Sequence, residues 1–497
     1  MHHNLTTILF ALGVKHNLEV NPTIAGITAD SRYVQKDYLF IAINGTHVDG
    51  NQYITQALER GAVAVLCSNK LSVSIIHNIN TPIIYIANLA DKLAIIAKTF
   101  YCYQAGKPQI IGITGTNGKT SVSNYIVQGL DLAGKPSAVV GTLGYGSLNN
   151  LQHTGMTTPA VLDLYAILAD LYAQHGKYVA LEVSSHAIDQ KRIQGLVFNS
   201  VIFTNLTQDH LDYHGSLENY KHTKFSLFSD YQYQRAIINI DDVAGRELYA
   251  SLPSSSDKIS YSLSDRSADI YLDNLTLHSK HITAQVFTPK GNLDLRTQLI
   301  GHFNLSNLLA CIAVWQVNRL SLAQIAEILP NIQAVAGRMQ FICQPHTPKI
   351  IIDYAHTPDA LAQALQAVRQ YANLNYSGTT KIHCIFGCGG SRDTSKRKLM
   401  GNVADKYADR IVLTNDNPRY ENPETIIADI ATGITNKNKL ELQPDRSLAI
   451  QATISSAAVH DWVLIAGKGH EAYQDIQGEK LLFSDLQQVN LCIKDNE

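Results

Sequence analysis

Ile111-Gly112-Ile113-Thr114-Gly115-Thr116-Asn117-Gly118-Lys119-Thr120 is the stretch from which the rest of the chain can be read. An apolar run enters a glycine-rich turn, and residues 121–132 continue as a helical pattern. In such a strand–turn–helix the backbone N–H groups and the helix N-terminus converge on one point and suit a phosphate. Lysine adds a point charge, and the following threonine offers a hydroxyl to Mg²⁺. The strict pattern needs glycine six residues before the lysine, where this chain has Ile113, so the match is to a variant, Gly-Thr-Asn-Gly-Lys-Thr. Gly115, Thr116, Asn117, Gly118, Lys119, Thr120 and Ser121 are the expected phosphate and nucleotide contacts. A glycine turn that only caps a helix is the plainer alternative. Gly112, Gly115 and Gly118 are evenly spaced and do not form the dinucleotide fingerprint.

Outward from this loop, apolar runs alternate with helical stretches. The order is 110–114, 119–132, 137–141, 159–174, 178–183 and 201–205, which predicts βαβ units and a mostly parallel sheet. Residues 250–300 read as an antiparallel extension. The alternation resumes after Gly337-Arg338 with strands 350–352, 382–386, 411–414 and 462–466 and helices 358–372, 396–408 and 423–435. Short β-type runs at 38–43 and 62–66 mark an N-terminal unit. At 497 residues, about three domains are expected at ~150 residues each. The α/β reading places a small N-terminal α/β domain at 1–88, a central P-loop-type mostly parallel ATPase domain at 89–337, and a C-terminal Rossmann-like α/β domain at 338–497.

Charged residues are only 16% of the chain, and 40 Lys+Arg nearly cancel 42 Asp+Glu. That balance excludes the general basic field of a nucleic-acid or membrane-surface protein, so an anionic ligand must be held by local groups. The 7 scattered cysteines do not form a secreted disulfide framework. No apolar run approaches the ~20 residues of a membrane span, and residues 5–14 lack the flanks of a signal peptide. A cytoplasmic location is expected.

Two acidic/histidine clusters follow apolar strands, as the phosphate loop does: Glu182-Val-Ser-Ser-His186 and Thr204-Asn-Leu-Thr-Gln-Asp-His210-Leu-Asp-Tyr-His214. Ligands of doubly wound sheets bind at that edge, and Mg²⁺ prefers oxygen. Glu182 and then His210 are the candidate ligands beside Thr120; the alternative is that both only tie loops together. In 216–228, Leu217, Tyr220, Lys224 and Leu227 share one helical stripe. On such a stripe Lys224 either snorkels to water or is buried with a depressed pKa.

These segments resemble the Mur ligase family, ATP-dependent enzymes that extend the peptide of cell-wall precursors, over nearly the whole chain. The resemblance implies ATP and Mg²⁺ as cofactors. It gives Lys119, Glu182, His210, Lys224 and Arg338 catalytic roles, with Lys224 carbamylated and a metal ligand. Gly301-His-Phe-Asn304 resembles the adenine-side motif, which makes Asn304 the adenine reader. Arg338 is a planar fork suited to the γ-phosphate. Asp353 and His356 lie at the nucleotide by resemblance, although Asp-x-x-His also fits a helix N-cap.

The C-terminal third supplies a receptor for an amino acid. Arg392 follows a turn after a strand, and Asp416-Asn417-Pro418-Arg419 follows the next, with Asn417 biased to an extended backbone by Pro418. Gly467-Lys-Gly-His470-Glu471 ends the last strand. Aspartate, amide, Arg392, Arg419 and Glu471 suit a zwitterion, although an Asn-Pro surface turn is the plainer reading of that segment alone. Asp-Asn-Pro-Arg resembles the motif of family members that add meso-diaminopimelate; lysine-adding relatives lack the arginine.

In the first domain, Ala29, Ser31, Thr46, His47 and Val48 resemble the uridine-side loops. Thr157, Thr158, Ser184, Gln190 and Arg192 resemble the contacts to diphosphate, sugar and peptide, with Met156 where relatives often have an amide. The activity implied is addition of meso-diaminopimelate to UDP-N-acetylmuramoyl-L-alanyl-D-glutamate through an acyl phosphate, by a monomer with small-molecule partners and no nucleic acid or membrane insertion. Lysine addition, folate polyglutamylation and a nucleotide-gated regulatory protein are the rival readings.

Overall fold

In the computed structural model the Gln109–Thr114 strand, the glycine turn and the Lys119–Leu132 helix follow one another as the sequence predicts. The structure describes residues 3–15, 18, 20–45, 48–69, 81–104, 107–174, 176–375 and 380–494. The chain divides into two units: residues 1–111, 136–199 and 226–233 form the first, and 112–135, 200–225 and 234–497 the second. The expected boundaries at 88 and 337 fall inside the first and second unit respectively.

In the first unit, Gly26–Thr28, Tyr38–Ala42, Ala62–Cys67 and Ile83–Tyr85 form a parallel four-stranded sheet in chain order. Phe40, Ala42, Val65 and Cys67 alternate onto one face and pack on Ile54 and Ala57 of the Ile54–Glu59 helix. The same unit pairs Ser137–Gly141 in parallel with Tyr178–Glu182 and antiparallel with Gly144–Ser147.

In the second unit, the strand ending at Phe203 adjoins the one ending at Thr114, and Gln232–Asn239 follows it. Lys258–Ser262 pairs in parallel with Gln232–Asn239 and with Ile270–Leu277; only then does the antiparallel run Ile270–Leu277, Ile282–Thr288, Gly291–Thr297 begin. The expected antiparallel extension therefore starts later than 250. The Ser/Thr/Asp-rich composition there hides the change of direction, because alternation reads the same in either pairing. The His302–Val317 helix is apolar nearly all round and is an interior element. It crosses the Lys119–Leu132 helix where Gly129 leaves room for Trp315: a Cβ at Gly129 would lie 2.2 Å from the indole. The indole N–H donates to the Ile126 carbonyl at 3.1 Å.

The second unit also holds a six-stranded sheet in the order Gln340–Ile342, Lys349–Asp353, Trp462–Ala466, Ile382–Phe386, Arg410–Leu413, Leu440–Leu442. All its pairings are parallel except the first. The four inner strands are rich in Ile and Val and buried on both faces, as a helix-covered parallel sheet requires, while the edge strands Gln340–Ile342 and Leu440–Leu442 are not buried. The C-terminal ends of Lys349–Asp353, Ile382–Phe386, Arg410–Leu413 and Trp462–Ala466 thus share one edge. No helix among the described residues is long and apolar enough to cross a membrane. All seven cysteines are free, and burial pushes the Cys384 and Cys388 thiols up to about 12.

The last helix, Asp485–Lys494, and the Arg446–Ser456 helix meet through a fully buried ion pair. Arg446 Nε and Nη2 donate to the two Asp485 carboxylate oxygens at 2.7 and 2.8 Å. Arg446 Nη2 also donates to the Ala466 carbonyl at 3.0 Å, and Nη1 more weakly to that of Asn415. One guanidinium therefore ties the ends of two strands to the C-terminal helix. Removing one partner strands a buried charge, which costs about 3–5 kcal/mol, whereas an apolar replacement of both is close to neutral. Asp485→Ala should lower stability by that amount in urea unfolding followed by circular dichroism. The Arg446→Met/Asp485→Leu double variant should recover most of it; a loss under 1 kcal/mol in the single variant would contradict this.

Candidate active site

The phosphate loop is held open by its neighbour strand. Thr116 N–H donates to the Asn205 carbonyl at 2.9 Å, and Asn117 N–H to Asn205 Oδ1 at 2.9 Å. Thr204 Oγ1 donates to the Asn117 carbonyl at 2.6 Å, and Thr207 N–H to Thr116 Oγ1 at 3.0 Å. Gly115 must be glycine: its φ is +147° and a Cβ would lie 1.9 Å from Thr204 Oγ1. Gly118, at φ +87°, opens the helix, and Lys119 folds back so that Nζ donates to the Gly115 and Thr116 carbonyls at 2.8 and 2.9 Å. Asn205 and Thr207 were missed by sequence reasoning, since their role lies in a turn that only the fold brings to the loop.

Lys224 is buried, and its Nζ donates to the same Gly115 carbonyl at 2.9 Å, 4.4 Å from the Tyr220 ring centroid. Burial, with Lys119 adding to it, holds its pKa well below the usual lysine range. Snorkelling is thereby excluded. Beside it, burial pushes the Asp209 carboxyl up, but the hydrogen bond and charge of His356, with His210 and Lys396, outweigh this and hold it well below the usual range. Asp209 Oδ2 lies 3.5 Å from His210 Nε2 and 3.7 Å from His356 Nε2. His210, at φ +53°, opens the short Leu211–His214 helix.

A cavity of about 420 Å³ adjoins the loop, with Asn117, Gly118, Ser121, Asn307, Arg338 and Asp353 in its wall. Asn304 is not in that wall. Its amide is buried and spent, accepting from Tyr125 O–H at 3.1 Å and donating to the Ile300 carbonyl at 2.8 Å. Asn307, one helical turn on and bonded to Asn304 Oδ1, faces the cavity instead. Arg338 stacks over Tyr354 at 4.3 Å, places Nη2 3.4 Å from Thr120 Oγ1, and has a buried Nε with no hydrogen-bond partner. Asp353 accepts from the Met339 and Ala355 N–H groups at 2.7 and 2.8 Å, so it braces the turn that carries Arg338; burial raises its carboxyl pKa despite the Arg338 charge. His356 Nδ1 bonds the Tyr354 carbonyl at 2.9 Å. An unpartnered guanidinium N–H, two amines on one carbonyl and a helix N-terminus without a side-chain cap fit a triphosphate, and the Thr120 hydroxyl beside them fits its Mg²⁺.

At the shared edge of the six-stranded sheet, Asp416 and Asn417 are buried. Lys468, fully buried, donates to Asp416 Oδ1 at 3.4 Å, Asn417 Oδ1 at 3.0 Å and Glu471 Oε2 at 3.1 Å. Asn417 Nδ2 donates to Glu471 Oε2 at 2.8 Å. Arg419, at φ +50°, follows Pro418, donates from Nη1 to the Gly390 carbonyl at 2.8 Å and lies 3.8 Å from Asp475. Arg392 is exposed and, among the described residues, has no hydrogen-bond or ion-pair partner. Its turn is pinned by Ser391 N–H on the Glu421 carboxylate, which Arg397 also grips. Gly467, at φ +109°, turns the chain after Ala466 and stands 3.5 Å, at its Cβ position, from Asp416 Oδ2. Lys468 is a site residue that the sequence reading missed, because its three partners, Asp416, Asn417 and Glu471, are brought to it only by the fold.

In the first unit, Glu182 is buried and accepts from Thr142 N–H at 3.1 Å and Thr142 Oγ1 at 3.0 Å. Thr142 Oγ1 also pairs with Thr157 Oγ1 at 3.1 Å. Thr158 Oγ1 donates to the Glu182 carbonyl at 2.7 Å and to Ser184 Oγ at 3.3 Å. Arg192 donates to the Thr158 carbonyl at 2.8 Å, the Met156 sulfur at 3.3 Å and Gln190 Oε1 at 2.7 Å. Thr157, Thr158, Ser184, Gln190 and Arg192 therefore form one connected group around Glu182. Ser31 Oγ is committed to Gln56 at 2.6 Å beside Ala29, and Val48 is exposed. Thr46 and His47 lie outside the described residues.

The chain matches three family models: "Mur ligase family, catalytic domain" over residues 23–101, "Mur ligase middle domain" over 113–315, and "Mur ligase, glutamate ligase domain" over 337–469. It is 43% identical over 470 residues to the UDP-N-acetylmuramoyl-L-alanyl-D-glutamate–2,6-diaminopimelate ligase of Pseudomonas aeruginosa, covering 95% of each chain. It is 41% identical over 481 residues to that of Coxiella burnetii, covering 96% and 97%. A solved structure of a ligase of that name aligns with TM-score 0.70 at 31% identity over 100% and 99% of the two chains. MurF ligase of Thermotoga maritima in complex with ADP shares the fold at TM-score 0.64 and 18% identity, over 88% and 93%. With domains in this order and relatives this similar along their whole length, the chain belongs to the Mur ligase family.

Proposed function

We infer that this chain is an ATP-dependent ligase that joins meso-diaminopimelate to UDP-N-acetylmuramoyl-L-alanyl-D-glutamate in peptidoglycan precursor synthesis. The observation that carries this is near-full-length identity of about 40% to ligases of that name. ATP supplies the phosphoryl group that activates the D-glutamate side-chain carboxylate, and Mg²⁺ offsets charge on the phosphates. Lys119 and Arg338 neutralise the phosphoryl oxygens, and the loop N–H groups orient them. Thr120, His210 and Lys224 as its carbamate are our candidates for holding Mg²⁺, with Glu182 a further candidate from the first unit. Asn307 presents an amide toward the nucleotide that Asn304 and Tyr125 hold in place, and Asp353 and His356 brace the turns around it. Ala29, Ser31, Thr46, His47, Val48, Thr157, Thr158, Ser184, Gln190 and Arg192 remain our reading of the UDP-glycopeptide contacts. Arg392, Asp416, Asn417, Pro418, Arg419, Gly467 and Glu471 hold the far end of the amino acid, whose other amine attacks the acyl phosphate and expels phosphate. We keep domain limits of 1–88, 89–337 and 338–497, a monomer, and a cytoplasmic location.

Phosphate release should require all three substrates together. Arg392→Ala and Arg419→Ala should each lower kcat/KM for meso-diaminopimelate about 10–100-fold, the loss of a charged hydrogen bond, while KM for ATP holds. Release without an amine, or equal use of lysine by the wild type, would overturn the assignment.

Lys224 as a carbamate is supported by its burial, the lowered pKa of its amine and its place on the Gly115 carbonyl. The amine adds to CO₂ and releases a proton, giving an oxygen anion. Enzyme equilibrated with ¹³C-bicarbonate should show a carbamate carbon signal that Lys224→Arg abolishes; active wild type without that signal would refute it.

A further inference from the structure

Lys468 touches three of the residues assigned to the amino-acid end, yet no part of the reaction described above uses it. Its ammonium is fully buried and bonded to Asp416, Asn417 and Glu471. We propose that Lys468 sets amino-acid specificity by holding this receptor at zero net charge. The proposal rests on the reading that the substrate's far end is a zwitterion.

Lys468 against Asp416 and Glu471 leaves one negative charge. Arg419 and Asp475 offset each other across 3.8 Å. Arg392, without a partner among the described residues, returns the sum to zero. An ammonium-plus-carboxylate group enters such a receptor with both charges met, the carboxylate on Arg392 and the ammonium on the carboxylate pair. A side chain that ends in an ammonium alone adds an unmatched positive charge beside Lys468 and leaves Arg392 unpaired. Lys468 also fixes the Asn417 amide. Asn417 Oδ1 accepts from both Lys468 and the Asp475 N–H at 3.0 Å, which turns Nδ2 onto Glu471. Lys468 is thus a positioning residue as well as a counter-charge, and a neutral replacement makes the receptor anionic and more tolerant of a lone ammonium.

The test is the ratio of kcat/KM for meso-diaminopimelate to that for lysine in wild type, Lys468→Gln and Lys468→Arg, with KM for ATP measured alongside. Lys468→Gln should narrow the ratio about tenfold or more while KM for ATP stays within about twofold, and Lys468→Arg should keep most of the ratio. A merely structural lysine would lower both amino acids together, and a Lys468→Gln ratio within about twofold of wild type overturns the proposal. Should Lys468→Gln fail to fold by circular dichroism, Glu471→Gln carries the test in the opposite sense. With one negative charge removed the ratio must widen, and an unchanged or narrower ratio overturns the proposal. A wild type that shows no preference for meso-diaminopimelate sinks the functional reading instead, so the two failures are distinct.

Discussion

Two amines, those of Lys119 and Lys224, point at the single carbonyl of Gly115. Two cationic side chains this close in a buried place repel each other, which, added to burial, favours the uncharged form of Lys224 and the entry of an anion. Both effects suit the proposed chemistry, with an anion beside Lys119 and the pKa of the Lys224 amine lowered. The surrounding structure holds this arrangement in being. Thr204, Asn205 and Thr207 fix the loop's backbone from the neighbouring strand, and Tyr220 closes over Lys224. The Asp209–His356 contact brings the turn after the Lys349–Asp353 strand to the same place.

Much of this was legible in the sequence because it is local. The Lys119–Leu132 helix and the Ser137–Gly141, Ile382–Phe386 and Trp462–Ala466 strands have the predicted limits, since glycine turns and β-branched runs mark them sharply. Other limits moved for stated reasons. The helix predicted to reach 435 stops at Ala431, where Gly433 packs on the Lys398 carbonyl, and the strand predicted at 201–205 ends at Phe203 so that Thr204 and Asn205 are free to bind the loop. The paths of Asp416, Asn417 and Glu471 to one edge followed from strand ends alone.

What sequence could not supply was the state of side chains whose partners are far along the chain. Asn304 carries the motif but spends its amide on Tyr125, 179 residues away, and leaves the cavity to Asn307. Lys224 shares a stripe with apolar residues whether it snorkels or is entombed, and only its seat beneath Gly115 decides. Arg446 and Asp485 are ordinary surface residues by pattern, and pairing across 39 positions makes them the buried tie between two strand ends.

Gly337 offers a mechanical consequence. A methyl group there would lie 2.2 Å from the His470 nitrogen, so the backbone just ahead of Arg338 is wedged against the Gly467–Glu471 loop with no slack for even one carbon. The backbone that carries the Arg338 guanidinium and the loop that carries the Glu471 carboxylate therefore mesh like teeth on adjoining wheels. Tyr354 adds a second link, since Arg338 stacks on its ring at 4.3 Å and its hydroxyl lies 3.5 Å from Glu471 Oε1.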